Sequence, residues 1–353
     1  MTVRRVLVLE AQTPFVHGGA EILVRQLVDA LRARGYEADI VSIPFRDHPR
    51  DELMAHAAAW RLIDVSESAG RPVDLAIATK FPSYFVRHPA KVAWLVHQHR
   101  AAYELCGTPF SNFEHTGLDV GVRKRLVELD TQMLGECKGL FSIARTVSER
   151  LEKYNGLTAE PLYHPPKLAD MLKPGPYGNY MLLVTRLEKV KRVDLVVDAF
   201  RQVDKRLRLL IAGEGSVRPH IEAQIEQHGL GDRVQLLGRV SDDDLIALYA
   251  GARGVVFTPY SEDYGYVTLE AFLARKPLVT TSDAGGPLEF AIHGVNALVA
   301  RPEPDAVTAA INQLAGDAAL AARLGDAGHE RARAITWAGV VERLVSSAEV
   351  AAR

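Results

Sequence analysis

Short apolar runs alternate with longer amphipathic stretches along the whole chain, and this alternation limits the possible folds more than any other feature. In the first half the runs are rich in β-branched residues and lie at residues 6–9, 39–43, 73–78, 92–96 and 140–143. Such runs are typical of strands that are covered on both faces. Residues 20–34 carry apolar side chains at helical spacing, and Gly35 follows them as a helix C-cap. Strand, helix and strand with short links predict a parallel sheet.

The alternation stops near residue 164 and restarts at residue 180. Prolines and glycines are dense at residues 165–179, which disfavours a helix or a central strand and predicts an interdomain linker. The runs of the second half lie at residues 180–184, 207–211, 234–237, 255–257, 278–281 and 297–299. We therefore predict an α/β fold of two doubly wound domains, residues 1–164 and 180–335. Ligands of such sheets bind beyond the carboxyl ends of the strands, so two facing domains are expected to hold theirs in the cleft between them.

Length and composition exclude several classes of protein. The 353 residues suffice for about two domains of roughly 150 residues. Lys and Arg number 42 and Asp and Glu number 44, so the net charge of −2 lacks the basic footprint of a nucleic-acid-binding protein. Cys106 and Cys137 have neither a metal-ligand spacing nor a disulfide framework, and the expected location is the cytoplasm. The apolar run at residues 6–9 is shorter than the core of about 7–15 residues of a signal peptide and predicts a strand.

Two glycine-containing loops follow predicted strands. Gly18 and Gly19 stand directly before a helix, where backbone N–H groups can approach an anion, although a plain tight turn explains them equally well. Gly213 and Gly215 follow a strand of the second half, but Arg218 stands where a dinucleotide-binding fingerprint has its third glycine. Neither loop therefore supports a redox cofactor.

The densest group of polar residues surrounds Gly265. Glu262 is predicted in the loop after the strand at 255–257, and Glu270 in the helix that begins after Gly265. Both carboxylates can then face the cleft, where each can accept hydrogen bonds from sugar hydroxyls. Two ordinary surface acids are the alternative interpretation.

This segment resembles the Glu-x7-Glu signature of the retaining family-4 (group 1) glycosyltransferases, which have the GT-B fold. Five further elements follow in the order of that family. They are the glycine loop of Gly18, Gly19 and Glu21, the histidine His97, the Arg-x4-Lys pair Arg186 and Lys191, the glycine turn at Gly213, and the Gly285-Gly286 loop with Glu289. The resemblance implies two Rossmann-like domains facing across a cleft, with a last helix at residues 336–353 that returns to the first domain.

The resemblance also implies that the donor is a nucleoside-diphosphate sugar, UDP- or GDP-linked. Arg186 and Lys191 would stabilise the charge of the leaving diphosphate without a metal. A solvated basic turn is the alternative for this pair, but its place directly after a strand favours the clamp. Glu270 would hold the ribose hydroxyls and Glu262 the transferred sugar. The other implied donor-binding positions are Gly18, Gly19, Gly213, Gly265, Gly285 and Gly286.

His97 and His99 can form a metal-binding pair, because residues two apart on a strand share a face. A metal site would need a third ligand, and no nearby acid is an obvious candidate. We therefore predict no metal and no cofactor. The resemblance implies that His97 donates a hydrogen bond to a sugar hydroxyl, and His99 and Glu21 are candidates for binding the acceptor.

The first domain is expected to bind the acceptor, which is a saccharide, a lipid-linked sugar or a small molecule. Its basic run at residues 123–125 is compatible with an acceptor, a peripheral membrane contact or solvent, with solvent as the default. Monomer and homodimer both stay open. Two other functions are alternatives: a nicotinamide-dependent Rossmann oxidoreductase, which lacks its fingerprint, and a non-catalytic two-domain sugar- or nucleotide-binding protein. The second gives no reason for Arg186, Lys191 and Glu270 to occur together.

The chain also departs from the family pattern at three places. The family often has glycine where Arg192 stands and within the stretch at residues 274–277, and it often has serine where Ala144 stands. We expect the first two departures to alter turns or surface and the third to remove a polar contact. Retention of configuration is implied by the resemblance. Because no Asp or Glu declares itself a covalent nucleophile, we expect a front-face route in which the leaving phosphate deprotonates the acceptor.

Overall fold

The structure is a computed structural model that describes residues 3–16, 18–46, 49–50 and 52–350. Residues 1–2, 17 and 351–353, which belong to segments interpreted above, lie outside the described residues. The chain divides into two compact units, one of Met1–Lys167 with Thr336–Arg353 and the other of Leu168–Ile335.

The first unit contains a parallel sheet with helices between its strands. Up to residue 167 its elements are β1 (Arg5–Gln12), α1 (Gly19–Arg32), β2 (Glu37–Pro44), α2 (Glu52–Leu62), β3 (Glu67–Ser68), β4 (Arg71–Pro72), β5 (Leu75–Lys80), β6 (Lys91–His97), α3 (Gly117–Gly135), β7 (Gly139–Ser142), α4 (Arg145–Asn155) and β8 (Glu160–Pro161). The sheet has six described strands in the order β2-β1-β5-β6-β7-β8, and β3 pairs with β4 as a separate antiparallel hairpin. The central strands β5 and β6 are almost fully buried, which agrees with their continuous apolar runs.

The second unit repeats this architecture. Its elements are β9 (Tyr180–Val184), α5 (Val193–Ala199), β10 (Arg208–Ala212), α6 (Arg218–Gln227), β11 (Val234–Gly238), α7 (Asp242–Gly251), β12 (Gly254–Val256), α8 (Tyr266–Leu273), β13 (Leu278–Thr281), α9 (Pro287–Phe290), β14 (Ala297–Ala300), α10 (Pro304–Gly316) and α11 (Ala318–Ala332). Six described strands form a parallel sheet in the order β11-β10-β9-β12-β13-β14.

The last helix, α12 (Trp337–Val350), belongs to the first unit. Its first residue, Trp337, packs its ring 6.0 Å from that of Trp94 on β6 and 5.7 Å from that of His164. His164 is fully buried, and this burial lowers the pKa of its imidazole to about 3. The helix is thus anchored by aromatic contacts to the sheet of the first unit.

The segment predicted as a linker divides between the two units at residues 167 and 168. Residues 175–176 are held to the second unit by the buried ammonium of Lys276. Its Nζ donates to the carbonyl oxygens of Gly175 at 2.8 Å and Pro176 at 3.3 Å. This part of the segment is therefore fixed within the second unit.

The predicted α/β fold class is confirmed, since every predicted apolar run overlaps a strand of one of the two parallel sheets. Three short strands, β3, β4 and β8, were not predicted. No helix in the described part of the chain is long and apolar enough to cross a bilayer. Because the strands of each sheet are parallel, their carboxyl ends lie at one edge of that sheet, and the loops that follow them carry the candidate site residues.

Candidate functional site

The loop after β9 carries Arg186, whose side chain is exposed and makes no hydrogen bond or ion pair with any described residue. A glycine turn supports this loop from the end of β10. Gly213 has a φ of +135°, and a Cβ atom there would collide with the carbonyl oxygen of Thr185. The amide of Leu187 donates to the carbonyl oxygen of Glu214 at 2.9 Å. Gly213 therefore allows a close backbone approach that holds the residues on either side of Arg186.

Lys191 ends a 3₁₀ turn, Lys189–Lys191, and its Nζ donates to Oε2 of Glu262. The side chains are 13% and 17% exposed, so this ion pair is largely removed from solvent. Two residues that the resemblance assigned to the donor site are thus in direct contact. Because an ammonium group has three donors, Lys191 can keep Glu262 and still bind an anion.

The loop of Glu262 lies against the loop of Gly285 in a short parallel pairing. The amide of Glu262 donates to the carbonyl oxygen of Ala284, and the amide of Gly286 donates to that of Glu262, both at 2.7 Å. Gly285 has a φ of +77°, and a Cβ atom there would lie 2.6 Å from the carbonyl oxygen of Glu262. Glycine at positions 285 and 286 is therefore needed for this close approach of the two loops. The amide of Gly285 makes no hydrogen bond with the described residues, so it is the one of the two that a ligand can use.

Glu270 lies on α8, which begins after Gly265. Gly265 has a φ of +81°, and a Cβ atom there would lie 2.7 Å from Cγ of Pro287. The hydroxyl of Tyr249 on α7 donates to Oε2 of Glu270 at 2.6 Å. Burial raises the pKa of the Glu270 carboxyl above its usual value, although the bond from Tyr249 opposes the rise. The fully buried Tyr249 thus fixes the orientation of Glu270.

In the first unit, Glu21 connects the glycine loop to the end of β5. Its Oε2 accepts from the amide of Gly18 at 2.9 Å, which caps α1, and its Oε1 accepts from Nζ of Lys80 at 2.6 Å. Burial raises the pKa of Glu21, but Lys80 and the Gly18 amide outweigh it, so the pKa lies below its usual value. Glu21, proposed from sequence as an acceptor-binding residue, is 5% exposed and has both oxygens engaged in holding the loop of Gly18 and Gly19.

The two histidines do not share a strand face, because β6 ends at His97. His97 is half-buried, and its Nδ1 lies 2.7 Å from the carbonyl oxygen of Gln98. His99 is 8% exposed and packs among aromatic rings. The centroid of the His99 ring lies 6.4 Å from that of Phe45, 5.9 Å from that of Phe81 and 5.8 Å from that of Phe113. Within the described ranges, no group of three or more His, Cys, Asp or Glu side chains is arranged to hold a metal ion.

The three departures from the family pattern each have a local explanation. Arg192 and Arg275 have φ values of +50° and +54°, a left-handed conformation in which glycine is favoured. Ala144 is the N-cap residue of α4, where a serine would accept a hydrogen bond from the first turn. The residues that the family often has at these places therefore match the local backbone. Glycine favours the left-handed conformation, and serine favours a helix N-cap.

Sequence reasoning missed Tyr249 and Lys80. Tyr249 lies within an apolar helix, so nothing distinguished it from a core tyrosine. Lys80 could have been found, because it ends β5 at the carboxyl edge of the sheet, on which residues of ligand sites are expected.

Comparison with known proteins gives a family match within the second unit. Residues 173–331 match the family described as glycosyl transferases, group 1. The matched residues lie within the second unit. The chain is 30% identical over 186 residues to alpha-1,3/1,6-mannosyltransferase ALG2 of Homo sapiens, an alignment that covers 48% of this chain and 44% of that protein. The chain spans less than half the length of the curated relatives it matches.

Solved structures of glycosyltransferases share the fold over almost the whole chain. Sucrose-phosphate synthase from Thermosynechococcus elongatus matches with a TM-score of 0.79 and 18% identity, over 97% of this chain and 98% of that chain. Anabaena HepE, solved in complex with UDP and glucose, matches with a TM-score of 0.73 and 16% identity, over 98% of this chain and 100% of that chain. At such identities the likeness establishes the fold, and it agrees with the GT-B class implied by the sequence.

Proposed function

We propose that this protein transfers a hexose-type sugar from a UDP- or GDP-linked donor to a hydroxyl acceptor, with retention of configuration and without a metal. The observation that carries the proposal is the contact between Lys191 and Glu262, beside the unengaged amide of Gly285. A cation, a carboxylate and a backbone donor meet at the carboxyl edge of a parallel sheet, within the part of the chain that matches the family. Together they suit a diphosphate joined to a sugar.

Positive charge at this edge accounts for the departure of the diphosphate. Cleavage of the bond between sugar and phosphate leaves negative charge on the diphosphate, and preorganised cations lower the barrier by stabilising it. Lys191 is held in place by Glu262, whereas Arg186 is exposed and able to approach a ligand. The similar fold of HepE, which was solved with UDP and with UDP-glucose, supports a nucleotide sugar as the donor.

The two glutamates would bind the hydroxyls of the donor. Tyr249 occupies one oxygen of Glu270 and leaves Oε1 to accept from the ribose. Lys191 similarly occupies one oxygen of Glu262 and leaves the other for the transferred sugar. In this proposal each carboxylate is oriented by one protein donor and binds substrate with its second oxygen.

The first unit would bind the acceptor, with His97 at the end of β6 donating a hydrogen bond to a sugar hydroxyl. Retention would follow a front-face route, in which an oxygen of the leaving phosphate takes the proton of the acceptor hydroxyl as that hydroxyl attacks the anomeric carbon. A covalent glycosyl-enzyme adduct, trapped with a slow donor, would contradict this route.

The proposal is tested by incubating the full chain with a panel of UDP- and GDP-linked hexoses and a panel of hydroxyl acceptors (saccharides, lipid-linked sugars and small molecules), with and without a chelator, and measuring release of the nucleoside diphosphate. We expect release from one donor series, unaffected by the chelator. Lys191→Ala and Glu270→Ala should each lower the turnover about 100-fold or more while the circular dichroism spectrum stays that of the wild type. Full turnover in both variants would contradict the assigned roles.

The same preparation separates the alternatives by thermal shift. A nicotinamide-dependent oxidoreductase would be stabilised by NAD or NADP. A non-catalytic sugar- or nucleotide-binding protein would be stabilised by the free sugar or the nucleotide without release of a diphosphate from the donor. A transferase of the proposed kind should be stabilised by UDP or GDP.

A further inference from the structure

We propose that Arg192 is a positioning residue of the donor site, which fixes the loop of Lys191 against the loops of Glu262 and Gly285. This inference rests on the proposed function for the assignment of those three groups to the donor. Arg192 itself is placed outside the set of groups that touch substrate, and it acts through its neighbours.

The backbone of Arg192 is unusual for an arginine. Its φ of +50° and ψ of +46° are left-handed, at the junction between the 3₁₀ turn Lys189–Lys191 and α5. For a residue with a Cβ atom this conformation is unfavourable, whereas glycine adopts it freely. An arginine in this conformation is favoured by side-chain contacts that offset the backbone cost.

The side chain makes those contacts, with five hydrogen bonds to the loop after β12, to the last residue of β13 and to the loop after β13. Nε donates to the carbonyl oxygen of Thr258 at 2.8 Å, and Nη2 donates to that of Pro259 at 2.8 Å. Nη2 also reaches Oγ1 of Thr281 at 2.8 Å. A forked pair joins Nη1 to Oδ2 of Asp283 at 2.8 Å and Nη2 to Oδ1 at 2.6 Å. The Arg192 side chain is only 13% exposed.

These partners lie directly upstream of the donor-site groups. Thr258 and Pro259 lead to Glu262, and Asp283 leads to Gly285, while Arg192 itself follows Lys191. One guanidinium thus connects the loops after β9, β12 and β13. A planar fork fixes orientation as well as distance, which a lysine ammonium cannot reproduce.

The charge of Arg192 is balanced by this pairing. Burial raises the pKa of Asp283, but the hydrogen bonds and charge of Arg192 outweigh it, so the pKa lies below its usual value. Asp283 is therefore ionised at neutral pH and neutralises Arg192. The adjacent cation Lys191 keeps the role of meeting the diphosphate.

Arg275 offers a matched control within the same unit. It is also a left-handed arginine, with a φ of +54°, but its side chain makes an exposed ion pair with Asp326 at 3.2 Å. The two side chains of this pair are 45% and 60% exposed. Arg275→Gly removes a left-handed arginine without touching the three loops.

The first measurement is amide hydrogen exchange of the full chain without ligand. It compares the wild type with the variants Arg192→Gly, Arg192→Lys and Arg275→Gly. The amides followed are those of Glu262 and Gly286, which bridge two of the loops, and that of Tyr260, which donates to Val190 at 2.8 Å. We expect exchange at least tenfold faster in Arg192→Gly, an intermediate rate in Arg192→Lys and the wild-type rate in Arg275→Gly. Unchanged exchange in both Arg192 variants would overturn the inference, and Arg192→Lys decides alone where Arg192→Gly does not fold.

The second measurement is the Kd for UDP and GDP by calorimetry, with the melting temperature of each variant recorded. We expect a Kd at least tenfold higher in Arg192→Gly, partly restored in Arg192→Lys, and unchanged in Arg275→Gly. A folded Arg192→Gly variant with the wild-type Kd would overturn the positioning role. If the wild type binds neither nucleotide, the proposed function fails, and the exchange rates alone then decide whether Arg192 orders the three loops.

Discussion

Burial sets the charge of several single residues, and Asp130 on α3 is one of them. Its carboxyl is fully buried, and its Oδ2 accepts from the hydroxyl of Tyr103 at 2.6 Å. Burial raises the pKa of Asp130 to about 7, from a usual value of 3.8. Between pH 3.8 and about 7, the carboxyl of Asp130 is therefore protonated in the folded protein and ionised in the unfolded chain.

This difference predicts a pH-dependent stability. Because the folded pKa is the higher one, the contribution of Asp130 is fully present below pH 3.8 and is lost as the pH rises towards 7. We expect Asp130→Asn to increase the free energy of unfolding at pH 8 by on the order of 2–4 kcal/mol relative to its effect at pH 4. Denaturant titrations at both pH values measure this difference. An equal effect of the substitution at pH 4 and pH 8 would contradict it.

Tyr249 belongs to the same scale, because its hydroxyl orients the carboxylate of Glu270. Tyr249→Phe removes a donor that lowers the pKa of Glu270, so that pKa should rise further. We expect UDP or GDP to bind several-fold more weakly, and the affinity to fall at a higher pH on acidification than in the wild type. Calorimetric titration between pH 5 and 8 measures both effects, since the loss of one buried hydrogen bond costs about 1–3 kcal/mol.

The matched control for this substitution is Tyr180→Phe. The hydroxyl of Tyr180 donates to the carbonyl oxygen of Leu248 at 2.7 Å and not to Glu270. It should leave the nucleotide affinity and its pH dependence unchanged. Equal behaviour of the two phenylalanine variants would show that Tyr249 has no specific link to Glu270.

At the scale of elements, the loops after β9, β10, β12 and β13 are held together by backbone contacts that only glycine permits. A Cβ atom on Gly286 would collide with the carbonyl oxygen of Asp263. We expect Gly286→Ala to lower the free energy of unfolding by about 1–3 kcal/mol and to weaken nucleotide binding more than tenfold, because the loops of Glu262 and Gly285 must separate.

Gly231→Ala is the control for Gly286→Ala. A Cβ atom at Gly231 meets nothing within 4 Å, so this variant should retain wild-type affinity and stability. Chemical denaturation and calorimetry of the two variants test the difference. Wild-type nucleotide binding by a folded Gly286→Ala variant would contradict the proposed close pairing of the loops.

The sequence predicted the strands of both sheets because their buried faces require continuous apolar runs. Hairpin strands β3 and β4 and edge strand β8 contain only two residues each, too few to form a pattern. The prediction that His97 and His99 share a strand face was wrong, because β6 ends at His97 and side chains alternate with a period of two only within a strand.

The contacts of the candidate site depend on pairs that are remote in sequence. Lys191 and Glu262 are 71 positions apart, and Lys80 and Glu21 are 59 apart. The resemblance named one of these pairs as site residues without showing the contact. A helix that starts at Gly19 explains why Glu21 turns back to the Gly18 amide, a capping role that the resemblance did not imply.

At the scale of the whole molecule, each unit has its own parallel sheet, with polar side chains at the carboxyl edge. In the first unit these include Lys80 and His97, and in the second Lys191 and Glu262. The central claim is that the second unit binds a nucleoside diphosphate through Lys191, with Arg186 added from the exposed loop. The family match of residues 173–331 supports this claim.

The most direct test is calorimetric titration of UDP, GDP, UMP and GMP into the wild type, Lys191→Ala and Lys189→Ala. Lys189 is an exposed lysine in the same 3₁₀ turn and serves as the control. We predict that the wild type and Lys189→Ala bind one diphosphate at least tenfold more tightly than its monophosphate, and that Lys191→Ala loses most of this preference. Binding of neither diphosphate by the wild type, or an undiminished preference in Lys191→Ala, would contradict the account.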